Sequence, residues 1–104
     1  IACIPNDNKA IDFLDETDTV EISCEIKNGR VTPIKIGDVP VENKEIITRV
    51  KAYERLASKA IINCDRESAV DCLYLHPLVS SYSLAEKLVD SYIELNKDFT
   101  GEWK

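Results

Sequence analysis

Between Glu42 and Cys64 the apolar residues Ile46, Val50, Tyr53, Ala57, Ala60, Ile61 and Cys64 return at steps of three and four. That spacing predicts one long amphipathic helix with a buried stripe, and no other feature constrains the chain as tightly. Ile47, Leu56 and Ile62 fall off the stripe, so a second covering surface is expected for this helix. Two shorter helical patterns follow. Asp65 predicts the cap of a helix running through Leu75, with Ala69, Cys72 and Leu73 inward and Pro77 as its stop. Ser83-Leu84-Ala85-Glu86 has the Ser-x-x-Glu form of a capping box. It predicts a third helix, whose apolar positions Leu84, Leu88, Val89, Ile93 and Leu95 run on toward Phe99.

Upstream the period changes. Val20, Ile22, Cys24 and Ile26 alternate with polar residues, which predicts a half-buried strand, and Asn28-Gly29 marks a hairpin into a second strand over Val31 to Ile36. A two-residue loop would set Cys24 opposite Pro33 and Ile22 opposite Lys35, mixing the faces. A three-residue loop, Lys27-Asn28-Gly29, sets Ile22 opposite Ile34 and Val20 opposite Ile36 and keeps one apolar face, so the bulged loop is expected. Residues 1–18 read as irregular chain that packs on a neighbouring body. The expected fold class is therefore α+β, a β-hairpin followed by three helices.

The chain has 104 residues, enough for one domain or part of one. With 13 basic and 19 acidic residues, the net charge is −6. The basic residues are dispersed, which argues against nucleic acid and against an anionic membrane surface. No apolar run is long enough to span a bilayer. Ile1 opens the chain and methionine is absent, which leads us to expect a fragment or processed chain. The four cysteines, Cys3, Cys24, Cys64 and Cys72, all fall on positions that read as core-facing. Free thiols in a reducing cytoplasm are expected rather than a disulfide framework.

Few residues suggest chemistry. Cys72 and His76 stand four apart on one helix, a spacing that can chelate zinc, with Cys64 nearby. A structural zinc site takes about four ligands, and the chain has one histidine and no Cys-x-x-Cys pair, so a buried thiol and a helix-terminal histidine are expected instead. Neither Cys72 nor Cys64 has the base and orienting group that a nucleophile needs. Asp12, Asp15, Glu16, Asp18, Glu21 and Glu25 crowd the first quarter, but nothing singles out a pair for glycosidic-bond chemistry. No Gly-x-Gly-x-x-Gly loop is present. No residue is assigned a catalytic, cofactor-binding or metal-binding role.

The run Arg49-Val-Lys-Ala-Tyr-Glu-Arg-Leu56 with Ala57 to Ile61 resembles the long C-terminal helix of glycoside hydrolase family 4, and His76-Pro-Leu-Val79 resembles the family's Asn-Pro-Leu-Val. Asp18-Thr-Val-Glu-Ile-Ser-Cys24 is similar to its Asp-x-Val-Val-Glu-Val-Pro strand, Ile36-Gly-Asp-Val-Pro40 to its Val-Gly-Asp-Leu-Pro exit, and Ala85 to Phe99 to its closing helix. The order is the family's. Lys51-Ala-Tyr-Glu54 and His76-Pro-Leu-Val79 carry most of the weight. Ser23 stands where proline is common and His76 where asparagine is common, which blurs the subfamily.

The resemblance, of the 6-phospho-β-glucosidase type, implies that residues 1–104 are a portion of a C-terminal domain of the lactate dehydrogenase C-terminal-like kind. It implies an NAD-binding Rossmann domain upstream, absent from this chain, and a divalent metal, commonly manganese, held by a Cys and a His there. Family members oxidise the sugar at C3, eliminate the aglycone and return the hydride, outside the two-carboxylate scheme. None of those motifs falls on these residues, so Cys24, Cys64, Cys72 and His76 are not the family's metal ligands. The implied partners are a phosphorylated glucoside or disaccharide, the chain's own N-terminal domain and further copies in a homo-oligomer. Phospho-α-glucosides and unphosphorylated galactosides or glucuronides stay open as substrates. An independent helical interaction or oligomerisation module is the competing reading.

Overall fold

Asn6 organises the loop that runs from residue 6 to residue 18. Its side chain is fully buried, and its Nδ2 shares two hydrogens among the carbonyls of Ile11 (2.8 Å), Leu14 (3.2 Å) and Asp15 (3.2 Å). Its Oδ1 accepts the Ile11 N–H at 3.0 Å, and its own N–H donates to the Asp18 carbonyl at 2.8 Å. One amide thus holds a whole loop shut. Asp18, also buried, closes the far end: its Oδ2 accepts the Asp15 N–H at 3.0 Å, while its N–H donates to the Asp15 carbonyl. Ala10 and Leu14 fill the space beneath.

The computed structural model describes residues 1–104, which divide into two units, Ile1–Lys44 and Glu45–Lys104. In the first, β1 (Ala2–Pro5) runs antiparallel to β2 (Thr19–Ile22), with Ala2 opposite Ile22 and Ile4 opposite Val20. The opening residues are therefore not irregular, as their composition suggested. A four-residue strand whose partner lies beyond a folded loop leaves too little periodic signal to read.

β3 (Cys24–Lys27) pairs with β4 (Arg30–Pro33), Cys24 opposite Pro33 and Lys27 opposite Arg30. The loop is the two residues Asn28 and Gly29, at φ 51° and 74°, as a type I′ turn requires. The expected three-residue loop is thus corrected, and the reason is a break at Ser23. Val20 and Ile22 belong to β2 and bury against the β1 side, so the hairpin never had to share their face. Ile26 and Val31, opposite each other, are both exposed, and the turn alone sets the register.

The second unit is helical. α1 (Val41–Asn63) starts with its first turn in the first unit, where Lys44 Nζ lies 5.0 Å from the Phe13 ring centroid. Its stripe is narrower than expected. Ala60 is buried and Val50, Tyr53, Ala57 and Cys64 are half-buried, but Ile46 and Ile61 are exposed. Of the off-stripe residues, Ile62 is exposed, while Ile47 and Leu56 are half-buried.

α2 (Arg66–Leu75) begins at the expected cap: Asp65 accepts the Ser68 N–H at 3.2 Å and the Ser68 hydroxyl at 2.6 Å. α3 (Tyr82–Thr100) begins two residues before the capping box. Ser81, not Ser83, is the cap, its Oγ accepting the Leu84 N–H at 3.2 Å. Tyr82 explains the earlier start, because its hydroxyl donates to Asp71 at 3.0 Å and its ring meets Tyr74 edge-on at 5.7 Å. α2 packs on α3 around Val70, Ala85 and Val89, with Ala69, Leu73, Val79 and Ile93 at the margin. No helix is long and apolar enough to cross a membrane.

Truncating Asn6 orphans several buried backbone groups together. Asn6→Ala is expected to lower stability by about 3 kcal/mol in urea unfolding, whereas Asn43→Ala, on an exposed helix face, stays within about 0.5 kcal/mol.

Candidate functional site

Alanines at 57, 60 and 69 leave room where the three helices meet, and a cavity of about 310 Å³ remains between them. Its wall is apolar and aromatic. Tyr53 and Ala60 come from α1, Cys72 from α2, Val89 and Tyr92 from α3, and Trp103 from the residues after α3. Its polar atoms are chemically quiet. The Cys72 thiol donates to the Ala69 carbonyl at 3.1 Å, and burial first, then the charge of Asp71, pushes its pKa above the usual thiol value. A nucleophilic thiol needs the opposite shift. Burial likewise raises the Tyr53 hydroxyl, with Cys72 the next cause.

His76 does not join Cys72 in a metal site. Its Nδ1 accepts the Leu78 N–H at 3.2 Å, and its ring stands edge-on to Tyr53, centroids 4.9 Å apart at 83°. No three His, Cys, Asp or Glu side chains gather anywhere in the chain as metal ligands would. Only Cys72 among the cysteines is core-facing; Cys24 and Cys64 are half-buried and Cys3 is exposed, which corrects the uniform burial read from the pattern. All four are free thiols. Five of the six early carboxylates, Asp12, Asp15, Glu16, Glu21 and Glu25, lie on the surface, and the sixth, Asp18, is the loop closure described above.

Around the apolar core of the helical unit run polar contacts that periodicity could not reveal. Arg66 forks onto Asp90 across 24 residues, Nε to Oδ1 at 2.7 Å and the second guanidinium nitrogen to Oδ2 at 2.9 Å. The Asp90 carboxyl is held below its ordinary value chiefly by that hydrogen bond. Asp65 is lowered mainly by the Ser68 hydroxyl, then by the Ser68 N–H. Arg49 Nε donates to the Leu75 carbonyl at 2.7 Å, satisfying the C-terminal end of α2. Arg49 and Tyr53 thus join α1 to the end of α2 at Leu75 and His76. The two motifs that carried the family resemblance, around Lys51-Ala-Tyr-Glu54 and His76-Pro-Leu-Val79, meet in this joint.

The sequence profile of the family 4 glycosyl hydrolase C-terminal domain matches residues 1–79. The chain belongs to glycosyl hydrolase family 4. A probable 6-phospho-β-glucosidase of Bacillus subtilis is 29% identical over 88% of this chain, which covers 21% of that protein. Among solved structures, a 6-phospho-α-glucosidase from gut microorganisms in complex with NAD and glucose-6-phosphate superposes over 98% of the chain. Its TM-score is 0.87 at 33% identity, and the chain covers 23% of it. The 6-phospho-β-glucosidase of Thermotoga maritima, with manganese, NAD+ and glucose-6-phosphate, superposes over 90% of the chain and 23% of its own length, at TM-score 0.78 and 29% identity. The chain therefore spans between a fifth and a quarter of the length of these family 4 relatives.

The two lowered carboxyls each contribute an acid response of one sign. A carboxyl whose folded pKa lies below its ordinary 3.8 adds stability that is fully present above 3.8 and lost as pH falls through the folded value. The unfolding temperature of the chain is expected to drop as pH is lowered below about 4, and Asp65→Asn with Asp90→Asn is expected to flatten that drop. Scanning calorimetry between about pH 7 and pH 2 reads the slope; an unchanged slope in the double variant contradicts the assignment.

Proposed function

We propose that these 104 residues are the C-terminal portion of a 6-phospho-β-glucosidase, the part that completes its substrate half. The family match over residues 1–79 carries this reading. It is supported by likeness, at 29% identity or above, to phosphoglucosidases solved with NAD, manganese and glucose-6-phosphate. The proposed parent hydrolyses phosphorylated glucosides by oxidation and elimination, drawing on NAD as redox carrier and a divalent metal as Lewis acid. It works in the cytoplasm and carries an N-terminal Rossmann domain upstream of these residues.

The residues present do not fit either group. His76 is engaged by Leu78 and Tyr53, and no cluster of ligands surrounds it. Gly29 and Gly101 serve a hairpin turn and a helix end, and α2 and α3 open on Asp65 and Ser81 rather than on a glycine-rich loop. No catalytic step is assigned to this chain, and alone it is expected to be inactive. Its role is to present a rigid joint of α1, α2 and α3 to the rest of the enzyme. The exposed apolar side chains Ile46, Ile61 and Ile62 on α1, and Tyr92, Leu95 and Phe99 on α3, support a covering partner. That partner is the N-terminal domain or a second subunit of a homo-oligomer.

A phospho-α-glucoside substrate is the second reading, favoured by the 33% identity to a 6-phospho-α-glucosidase. The test is to express these residues joined to the segment preceding them in the gene and to assay chromogenic α- and β-glucoside 6-phosphates. Release faster from the β substrate, dependent on NAD and manganese and abolished by a chelator, is expected. Activity indifferent to both cofactors, or cleavage by the 104-residue chain alone, contradicts the proposal; faster α cleavage moves the assignment to the second reading.

A further inference from the structure

α3 carries a second apolar stripe beside the one that meets α2. Leu84, Leu88, Tyr92, Leu95 and Phe99 follow one another at steps of four, four, three and four. At 3.6 residues per turn they lie within an arc of about 80°. Ala85, Val89 and Ile93, which pack against Val70 of α2, take the neighbouring arc. The second stripe is left uncovered. Only Leu88 is half-buried; Leu84 and Tyr92 are exposed, and Leu95 and Phe99 are 77% and 88% exposed. The charges of the helix divide as well. Asp90 is taken by Arg66, and Glu94 pairs with Lys97 at 2.7 Å, on the side turned away from the stripe. Lys87 and Asp98 stand on one margin of the stripe, exposed and without a partner in the chain.

We propose that this stripe pairs with the same stripe of a second copy of the chain, the two α3 helices lying antiparallel about a two-fold axis at Tyr92. The order of side chains is close to symmetric about that residue. With Tyr92 facing Tyr92, Leu88 of one copy meets Leu95 of the other, and Leu84 meets Phe99. Each apolar side chain then finds an apolar partner at the 3.5-residue spacing of a helix pair. A two-fold contact uses one patch twice and closes at a dimer. The charges choose the direction. Lys87 stands five residues before Tyr92 and Asp98 six after it, so the antiparallel pair sets Lys87 of each copy beside Asp98 of the other. A parallel pair sets Lys87 against Lys87 and Asp98 against Asp98, which repels. The proposal rests on the reading above only in that the exposed side chains of α3 call for a covering partner, and it names the second copy as that partner. One helix face per copy is less than a standard interface, so dimerisation is weak, with a dissociation constant of about 10–100 µM.

Sedimentation equilibrium of the 104-residue chain at low salt, from about 5 µM to about 1 mM, tests the pairing. A reversible monomer–dimer equilibrium is expected. Leu95→Asp and Phe99→Asp, both at exposed positions, should leave helical circular dichroism unchanged and the chain monomeric over the same range. Lys87→Asp alone, or Asp98→Lys alone, sets like charges at both symmetric contacts and should weaken dimerisation about fivefold or more. Lys87→Asp combined with Asp98→Lys should restore it, whereas a parallel pair is indifferent to all three changes. A wild-type chain that stays monomeric throughout overturns the proposal, as does a dimer untouched by Leu95→Asp. A double reversal no tighter than the single ones overturns it too. The same measurement on these residues joined to the segment preceding them in the gene must again show association sensitive to Leu95→Asp. Its loss there means that the chain's own remaining residues cover the stripe, and the proposal falls. None of these readouts involves enzymatic activity, so the pairing and the function proposed above fail separately.

Discussion

Val70 of α2 and Ala85 of α3 are both fully buried against each other's helices, and the single methyl at 85 lets the two helices come close enough for Val89, Leu73 and Ile93 to close around them. Burial of each valine in that contact stabilises the unit by about 1.5–3 kcal/mol. The polar clamps between α2 and α3 presume it. Arg66 reaches Asp90, and Tyr82 reaches Asp71, only while α2 lies on α3. Arg49 and Tyr53 then fasten α1 to the end of α2 at Leu75 and His76, so the long helix takes its position from a joint at its middle.

How much of this was legible depends on how local the cause is. α1, α2, the Asp65 cap and the stop at Pro77 follow from spacing and from side chains within a turn of their targets, and they stand within a residue of where the pattern placed them. The start of α3 moved to Ser81 because Tyr82 is fixed by Asp71 on another helix, a contact that no local capping motif encodes. β1 and the hairpin register failed for the same kind of reason. The buried face of Val20 and Ile22 was attributed to one long strand, while the chain breaks at Ser23 and pairs β2 with the opening residues. Asn6 fell in a stretch that read as irregular, and its hydrogen bonds become visible only once Ile11, Leu14 and Asp15 converge on it.

The residues weighed for chemistry take structural places in this fold. Cys72, His76 and the early carboxylates were weighed for ligand or catalytic work, and each has a structural occupation: a buried thiol on a carbonyl, an imidazole capping a turn, and a solvated acidic surface with Asp18 closing the loop. The residues that carry the family likeness are joint residues. They sit where α1 crosses the end of α2, a close-packed place that tolerates few side-chain shapes.

The central claim is that this family 4 chain supplies architecture and leaves cofactor binding to residues outside it. Calorimetric titration of the purified 104-residue chain with NAD, and separately with manganese, tests that claim directly. The account predicts no saturable heat from either. A saturating NAD isotherm with a micromolar dissociation constant would contradict it.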